Sequence, residues 1–343
     1  MRVAMYYSNN DVRLEETPVP EIGPGEILIR VISSGICGSD VMEWYRINRV
    51  PLVLGHEIAG TVEKTGAGVR NLKIGDRVAV SHHVPCHNCH YCLSGHETVC
   101  ETLRKTNFYP GGFAEFVRVP AINIEQKGVY PLPAEVSFEE ATFIEPLACV
   151  LRGQRLAGVK KGRTVLVIGS GISGLLHIQY ARTLGAKLIA ATDISQYRLE
   201  AAKRFGADHV FNAGEYSPEK LKTINGGMLA DAVILCAGAA SAVEQALASV
   251  ERGGTVLFFA AAEKDLMLPG SINDIFWRTE VTLTSSYAAS PVEHLEALEL
   301  LRARKVNVRD MITHRFTLAD AGKGFKLVAG AADSIKIIIE PQK

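Results

Sequence analysis

The apolar run Val165-Leu166-Val167-Ile168 passes directly into Gly169-Ser170-Gly171-Ile172-Ser173-Gly174, followed by a pattern of helical period through Leu184. Strand, glycine-rich turn and helix in that order form the entry to a dinucleotide-binding crossover. The first glycine permits the tight turn and the second lets a pyrophosphate approach the backbone. The third lets helix and strand pack closely, with the phosphates facing the helix N-terminus. A second strand pattern ends at Asp193, 19 residues after Gly174. A carboxylate there accepts hydrogen bonds from ribose hydroxyls and repels a 2′-phosphate, which favours NAD over NADP. Three glycines alone also punctuate an ordinary α/β sheet; the strand, helix and acid together make the turn a cofactor site. Arg198, further along, is placed to stack on adenine or meet a phosphate, and a solvated helix arginine explains it equally well.

The surrounding pattern repeats the theme. Apolar runs at 164–168, 188–193, 209–212, 231–236, 255–260 and 281–285 alternate with helical periods, which predicts a doubly wound parallel sheet. The loops that follow the last three, at Cys236-Ala237, Phe259-Ala260 and Ser285-Ser286, are placed to line a nicotinamide, although small residues are ordinary at strand ends. Residues 1–150 are instead rich in Gly, Pro and short β-branched runs such as Ile27–Val31 and Arg77–Val80, a mostly β pattern. The expected domains are 1–150, 151–286 and a third stretch, 287–343. That stretch carries a helical pattern at 292–304, an extended run at 314–318 and a terminal strand at 336–340, and pattern alone does not assign it to either domain.

A chain of 343 residues with 47% hydrophobic content exceeds what one core usually organises. Its 37 basic and 37 acidic residues cancel, so no field exists to hold nucleic acid or an anionic membrane, and a small-molecule partner is expected. No apolar run has the form of a signal peptide core or reaches membrane-spanning length, and the expected location is cytoplasmic.

Four of the seven cysteines, Cys86, Cys89, Cys92 and Cys100, lie within 15 residues. Thiolates at this spacing can converge on one tetrahedral ion. Four protein ligands leave no open position, so the expected role is a structural zinc site; an iron–sulfur cluster is the alternative. Cys37 in Gly35-Ile36-Cys37-Gly38-Ser39-Asp40, His56-Glu57, and Glu145 before Pro146 are scattered. Taken singly, each reads as a packed core residue.

Together these motifs resemble the zinc-containing medium-chain dehydrogenases, with the closest likeness to the sorbitol (polyol) and threonine dehydrogenase branch. Gly25-Glu26-Ile27-Leu28, Cys37-Gly38-Ser39-Asp40, Gly55-His56-Glu57, Gly75-Asp76-Arg77-Val78, the four-cysteine lobe, Gly111-Gly112-Phe113-Ala114-Glu115, Glu145-Pro146, the glycine-rich turn and Thr313-His314-Arg315-Phe316 stand in family order. The resemblance implies a GroES-like catalytic domain closed by the third stretch, a Rossmann domain inserted within it, a cleft where they meet, and a homo-oligomer, dimer or tetramer. It makes Cys37 and His56 ligands of a catalytic zinc, with Glu57 and Glu145 sharing the remaining protein position or standing behind it.

The implied chemistry is hydride transfer from a secondary alcohol to NAD. Zinc acts as the Lewis acid, Ser39 passes the proton on, and Asp40 fixes the His56 tautomer. The family often continues the proton path through a histidine where this chain has Met42, so Glu43, water or direct exit replaces it. Carboxylates around the site suit a vicinal diol or polyol over a plain alkanol. Tyr287-Ala288-Ala289-Ser290 lacks the arginine–aromatic pair of sorbitol-type relatives, which puts sorbitol itself in doubt. Arg46, Arg49, Arg104 and Lys105 are candidates for an anionic substrate group, or ordinary loop charges. The rival readings are a zinc-free quinone or enone reductase on the same fold, opposed by the ligand set and Asp193, and a zinc-stabilised NAD-binding protein without turnover.

Overall fold

The computed structural model describes residues 1–262, 265–331 and 333–343. The chain divides into two compact units. One comprises residues 1–148, 288–304 and 308–343, the other residues 149–287 and 305–307.

The second unit is built on a six-stranded sheet ordered His209–Asn212, Leu188–Asp193, Thr164–Ile168, Ala230–Leu235, Val250–Phe258 and Thr282–Ser285. All its pairings are parallel. Every residue of the first two central strands, Thr164–Ile168 and Leu188–Asp193, is buried, as expected of parallel strands covered on both faces. The strand order reverses between Thr164–Ile168 and Ala230–Leu235, the switch point at which doubly wound sheets hold ligands. The fifth strand starts five residues before the expected Thr255. Glu251-Arg252-Gly253-Gly254 interrupt the apolar run, and the pairing shifts register between Ala230 and Ala232.

The first unit holds a seven-stranded sheet whose main path is Ile312–Phe316, Lys336–Ile339, Ile27–Gly35, Glu57–Thr65, Arg77–Val80 and Val129–Pro131, with Phe116–Val119 also paired to Ile27–Gly35. A three-stranded sheet of Asp11–Glu16, Arg2–Ser8 and Leu52–Val53 accompanies it. The third sequence stretch thus contributes two strands to the sheet that carries Cys37, His56 and Glu57 at its strand ends. The extended run expected at 314–318 is the strand Ile312–Phe316, ending where Thr317 and Leu318 turn into the next helix.

Ionic contacts tie this returning stretch down. Glu140, in the short helix Phe138–Ala141, is buried and pairs with Arg304 and Arg309, while Glu139 takes two bonds from Arg315 at 2.5 and 2.9 Å. Burial opposes ionisation of Glu140, but Arg309, the Ser137 cap and Arg304 hold its pKa below the ordinary 4.5. A depressed carboxylate pKa stabilises the fold above the unfolded value, and that stability is lost as pH falls through the folded value. Glu140→Gln is expected to cost about 1–2 kcal/mol at pH 7, both guanidinium groups being partly solvated. Urea unfolding checks it: the gap between variant and parent should narrow below pH 4.5, and an unchanged gap would remove the ionic origin.

Among the described residues no helix is long and apolar enough to cross a membrane.

Candidate metal and cofactor sites

The four-cysteine segment carries little apolar core of its own. Cys92, Cys100 and Leu103 are its buried members, with Cys86, Cys89 and Ala288 packed against them. Short helical turns at His90–Leu93, Glu97–Val99 and Glu101–Lys105 bring the sulfurs together. Cys86 Sγ lies 4.0 Å from that of Cys92 and 3.6 Å from that of Cys100, and Cys89 Sγ lies 3.6 Å from that of Cys92. A tetrahedral ion with bonds of about 2.3 Å to sulfur has edges of about 3.8 Å. The cluster fits zinc.

The second constellation forms where two antiparallel strands end. Ile27–Gly35 runs out into Cys37, and Glu57–Thr65 begins immediately after His56; Gly35 pairs with Glu57. One ligand atom each from Cys37, His56 and Glu57 lie within 4.8 Å of one another. Asp40 is fully buried in the turn Gly38–Val41; its Oδ2 accepts the Cys37 N–H at 3.0 Å, and its Oδ1 stands 3.4 Å from His56 Nδ1. Burial disfavours charge on His56, but Asp40 and the Cys37 sulfur together push its pKa well above the usual imidazole range. A sulfur, an imidazole and a carboxylate fit zinc, and three protein ligands leave a position open. Glu57 Oε1 is buried without a hydrogen-bond partner among the described residues, as an oxygen reserved for an ion would be. Glu145, in the first turn of Ile144–Leu156, is not part of this convergent set.

Several neighbours were not visible in the sequence. Lys336 is wholly buried. Its ammonium pairs with Glu57 Oε2, lies 3.5 Å from the Ile36 carbonyl and sits 5.4 Å from the Phe143 ring centre. A β-carbon at Gly35 would collide with both members of that ion pair. The one available sign was a lone lysine inside the apolar run Ile335–Ile339. His82 packs its ring 4.9 Å from that of His56 and 3.8 Å from that of His83; burial pulls its pKa well below the usual range and that of His83 to about 4, so both are neutral. Arg46 donates to the Ser39 carbonyl at 3.1 Å, and both Arg46 and Arg49 lie over the Tyr45 ring. Glu43 accepts the Asn9 N–H at 3.1 Å. Arg104 and Lys105 pair with Glu101 on the surface.

In the other unit, Gly169 adopts φ +93°, and a β-carbon on Gly174 would collide with the Gly169 carbonyl. Ile172 and Ser173 open the helix Ile172–Thr183, capped by Gly171. Asp193 is buried and already engaged: Oδ2 accepts the Ser170 N–H at 2.7 Å and Oδ1 the Ser195 N–H at 2.9 Å. It therefore fixes the turn to its neighbouring strand, with one lone pair left on each oxygen. Arg198 Nη1 lies 3.9 Å from where a β-carbon on Gly171 would stand, and its buried Nε has no partner among the described residues. Cys236, Ala237, Phe259, Ser285 and Ser286 stand at the ends of the fourth, fifth and sixth strands. The Phe259 ring is half-buried and packs edge-on against that of His177 at 4.5 Å.

A dinucleotide-type sheet, a four-thiolate cluster and an open Cys-His-Glu site together define a metal-dependent oxidoreductase. Residues 23–133 match the alcohol dehydrogenase GroES-like domain, and residues 173–303 match the zinc-binding dehydrogenase family. Sorbitol dehydrogenase of Macaca fascicularis is 34% identical, covering 92% of this chain and 89% of its own. Galactitol-1-phosphate dehydrogenase from Escherichia coli superimposes with a TM-score of 0.86 at 32% identity, over 99% of this chain and 100% of that one. A zinc-binding dehydrogenase from Sinorhizobium meliloti 1021, solved bound to NADP, gives 0.86 at 28% identity over 99% of both chains. The chain belongs to the zinc-binding dehydrogenase family and is an oxidoreductase with a GroES-like and a Rossmann-type domain.

Proposed function

We propose that the protein oxidises a secondary alcohol within a vicinal diol, polyol or sugar-derived alcohol, using NAD. The carrying observation is the convergence of Cys37, His56 and Glu57 with one position left open. These residues would hold the catalytic zinc, and Cys86, Cys89, Cys92 and Cys100 a second, structural one. When bound, zinc supplies a Lewis acid and NAD a hydride acceptor. Asp40 keeps the proton on His56 Nδ1, which leaves Nε2 as the ligand atom. The Ser39 hydroxyl, two residues from Cys37, would accept the proton that the substrate hydroxyl gives up while passing its own onward to the cofactor ribose or solvent, and Arg46 steadies the Ser39 backbone. Lys336 holds one oxygen of Glu57, leaving the other for the metal. Glu145 stands behind the site.

The glycine-rich turn Gly169–Gly174 would cradle the pyrophosphate, and the free lone pairs of Asp193 would accept the ribose hydroxyls. Asp193→Ala is expected to weaken NAD binding by about tenfold or more, since it removes both a ribose acceptor and the bond that anchors Ser170. It should also narrow the preference over NADP, as read by cofactor titration of parent and variant. A parent enzyme that uses both cofactors equally would sink the assignment.

The polyol reading is supported by the relatives and by the carboxylates at the site. It is tested by a panel of sorbitol, 2,3-butanediol, galactitol 1-phosphate and ethanol with either cofactor: a diol or polyol should lead, and a panel led by ethanol overturns it. A homo-oligomer accords with the exposed Met267, Ile272 and Trp277 ahead of the edge strand Thr282–Ser285, and light scattering decides it. Seven free cysteines suit the cytoplasm.

A further inference from the structure

Beside Glu57 and Glu145 lies a small cavity with about 10 Å³ of room for the centre of a water molecule, lined also by Thr142, Tyr130 and His294 among others. Tyr130 and His294 are 1% and 2% exposed, and neither has a part in the chemistry described above. Their rings stack almost parallel, with centres 5.3 Å apart and planes 7° from one another. The Tyr130 hydroxyl and His294 Nε2 are both buried without a hydrogen-bond partner among the described residues. Ser81 lies beside the phenol; its proton goes to the His83 carbonyl at 2.7 Å, and although its oxygen could still accept, the Tyr130 hydroxyl makes no bond to it among the described residues.

The polarity of each orphan is fixed. His294 Nδ1 stands 2.8 Å from the Ser290 carbonyl, a pure acceptor, so it carries the proton. Burial lowers the pKa of the ring, and in the neutral imidazole with its proton on Nδ1, Nε2 is an acceptor without a donor. Tyr130 has a proton to give. The phenol and the imidazole nitrogen make no hydrogen bond to one another. Glu57 lines the same cavity, and its Oε1, which has two lone pairs, can take a proton donor on one beside an ion on the other. One water offers two donors and an acceptor, and a cavity of this size admits roughly one water.

We propose that this cavity is a specific site for a single water, which accepts from Tyr130 and donates to His294 Nε2 and to Glu57 Oε1. Tyr130 and His294 thereby become positioning residues for Glu57. Lys336 fixes one carboxylate oxygen and the water orients the other, whose second lone pair stays free for the metal. Partners of this kind typically change metal affinity ten- to a hundredfold. The effect on metal rests on the assignment of Glu57 to the catalytic zinc; the water site does not.

The test is a high-resolution crystal structure of the zinc-loaded enzyme and of Tyr130→Phe, with competitive zinc titration of both. The expected result is one ordered water within hydrogen-bonding distance of the three atoms, lost in the variant. Zinc should then leave one of two sites about tenfold more readily, with the four-thiolate site unchanged. A dry cavity, or either orphan atom bonded directly to protein, overturns the water site. A water lost in the variant with zinc affinity unaltered overturns the positioning role. Zinc retained at full stoichiometry in Cys37→Ser would instead indict the catalytic-site assignment, separately from both.

Discussion

Cys37→Ser is expected to lower turnover by about a thousandfold or more while leaving NAD affinity essentially intact. A Lewis acid at a reacting oxygen is worth several kcal/mol, and about 4 kcal/mol corresponds to that factor. Serine keeps the backbone N–H that Asp40 accepts but replaces a thiolate with a neutral hydroxyl, so His56 and Glu57 alone remain to hold the ion. The glycine-rich turn belongs to the other compact unit and is untouched. Steady-state rates, calorimetric NAD titration and a zinc count that falls from two to one per chain form the check. Undiminished turnover by a metal-depleted variant would end the mechanism.

The largest effect on stability should come from the cysteine lobe. Apart from its cysteines, Leu103 is the one fully buried apolar side chain of that cluster, so an ion held there would replace a core. Structural zinc sites in small domains bind with about 10–16 kcal/mol at neutral pH, and that binding is folding free energy. Cys92→Ser leaves three ligands, and a loss of several kcal/mol in local stability is expected. It should appear as early proteolysis between residues 86 and 105, lower melting temperature and one zinc fewer, with the activity of the surviving folded fraction little changed. Equal melting and equal zinc content would dispose of the structural role.

What could be read from the sequence follows from how local each determinant is. The parallel strands were legible because a strand covered on both faces is a continuous apolar run, as in Thr164–Ile168. The glycine-rich turn was legible because its requirements fall within a few consecutive residues. Val250–Phe258 was misplaced at its start because glycines and charges open it. Cys37, His56 and Glu57 could be joined only through family resemblance, since strand pairing rather than spacing brings them together. Lys336 was missed because the partner that justifies a buried ammonium lies 279 residues away. Nothing in the sequence singles out Tyr130 and His294; their stacking and orphaned atoms set them apart.

The position of Lys336–Ile339 in the sheet has a consequence for how the protein is made. This strand lies between Ile312–Phe316 and Ile27–Gly35, and it carries the cation for Glu57. The bulk of the cofactor unit is complete once residue 287 has emerged. The metal unit waits for about 50 residues more, roughly 3–10 s of synthesis at about 5–20 residues per second. During that interval the Ser34–Gly35 end of the central strand lacks its neighbour, and the Glu57 carboxylate is without its counter-ion. An unpaired strand edge beside an uncompensated acid is open to wrong partners. A nascent chain stalled before residue 336 would therefore hold a finished nucleotide fold joined to an unfinished metal site, a form for chaperones and proteases to recognise.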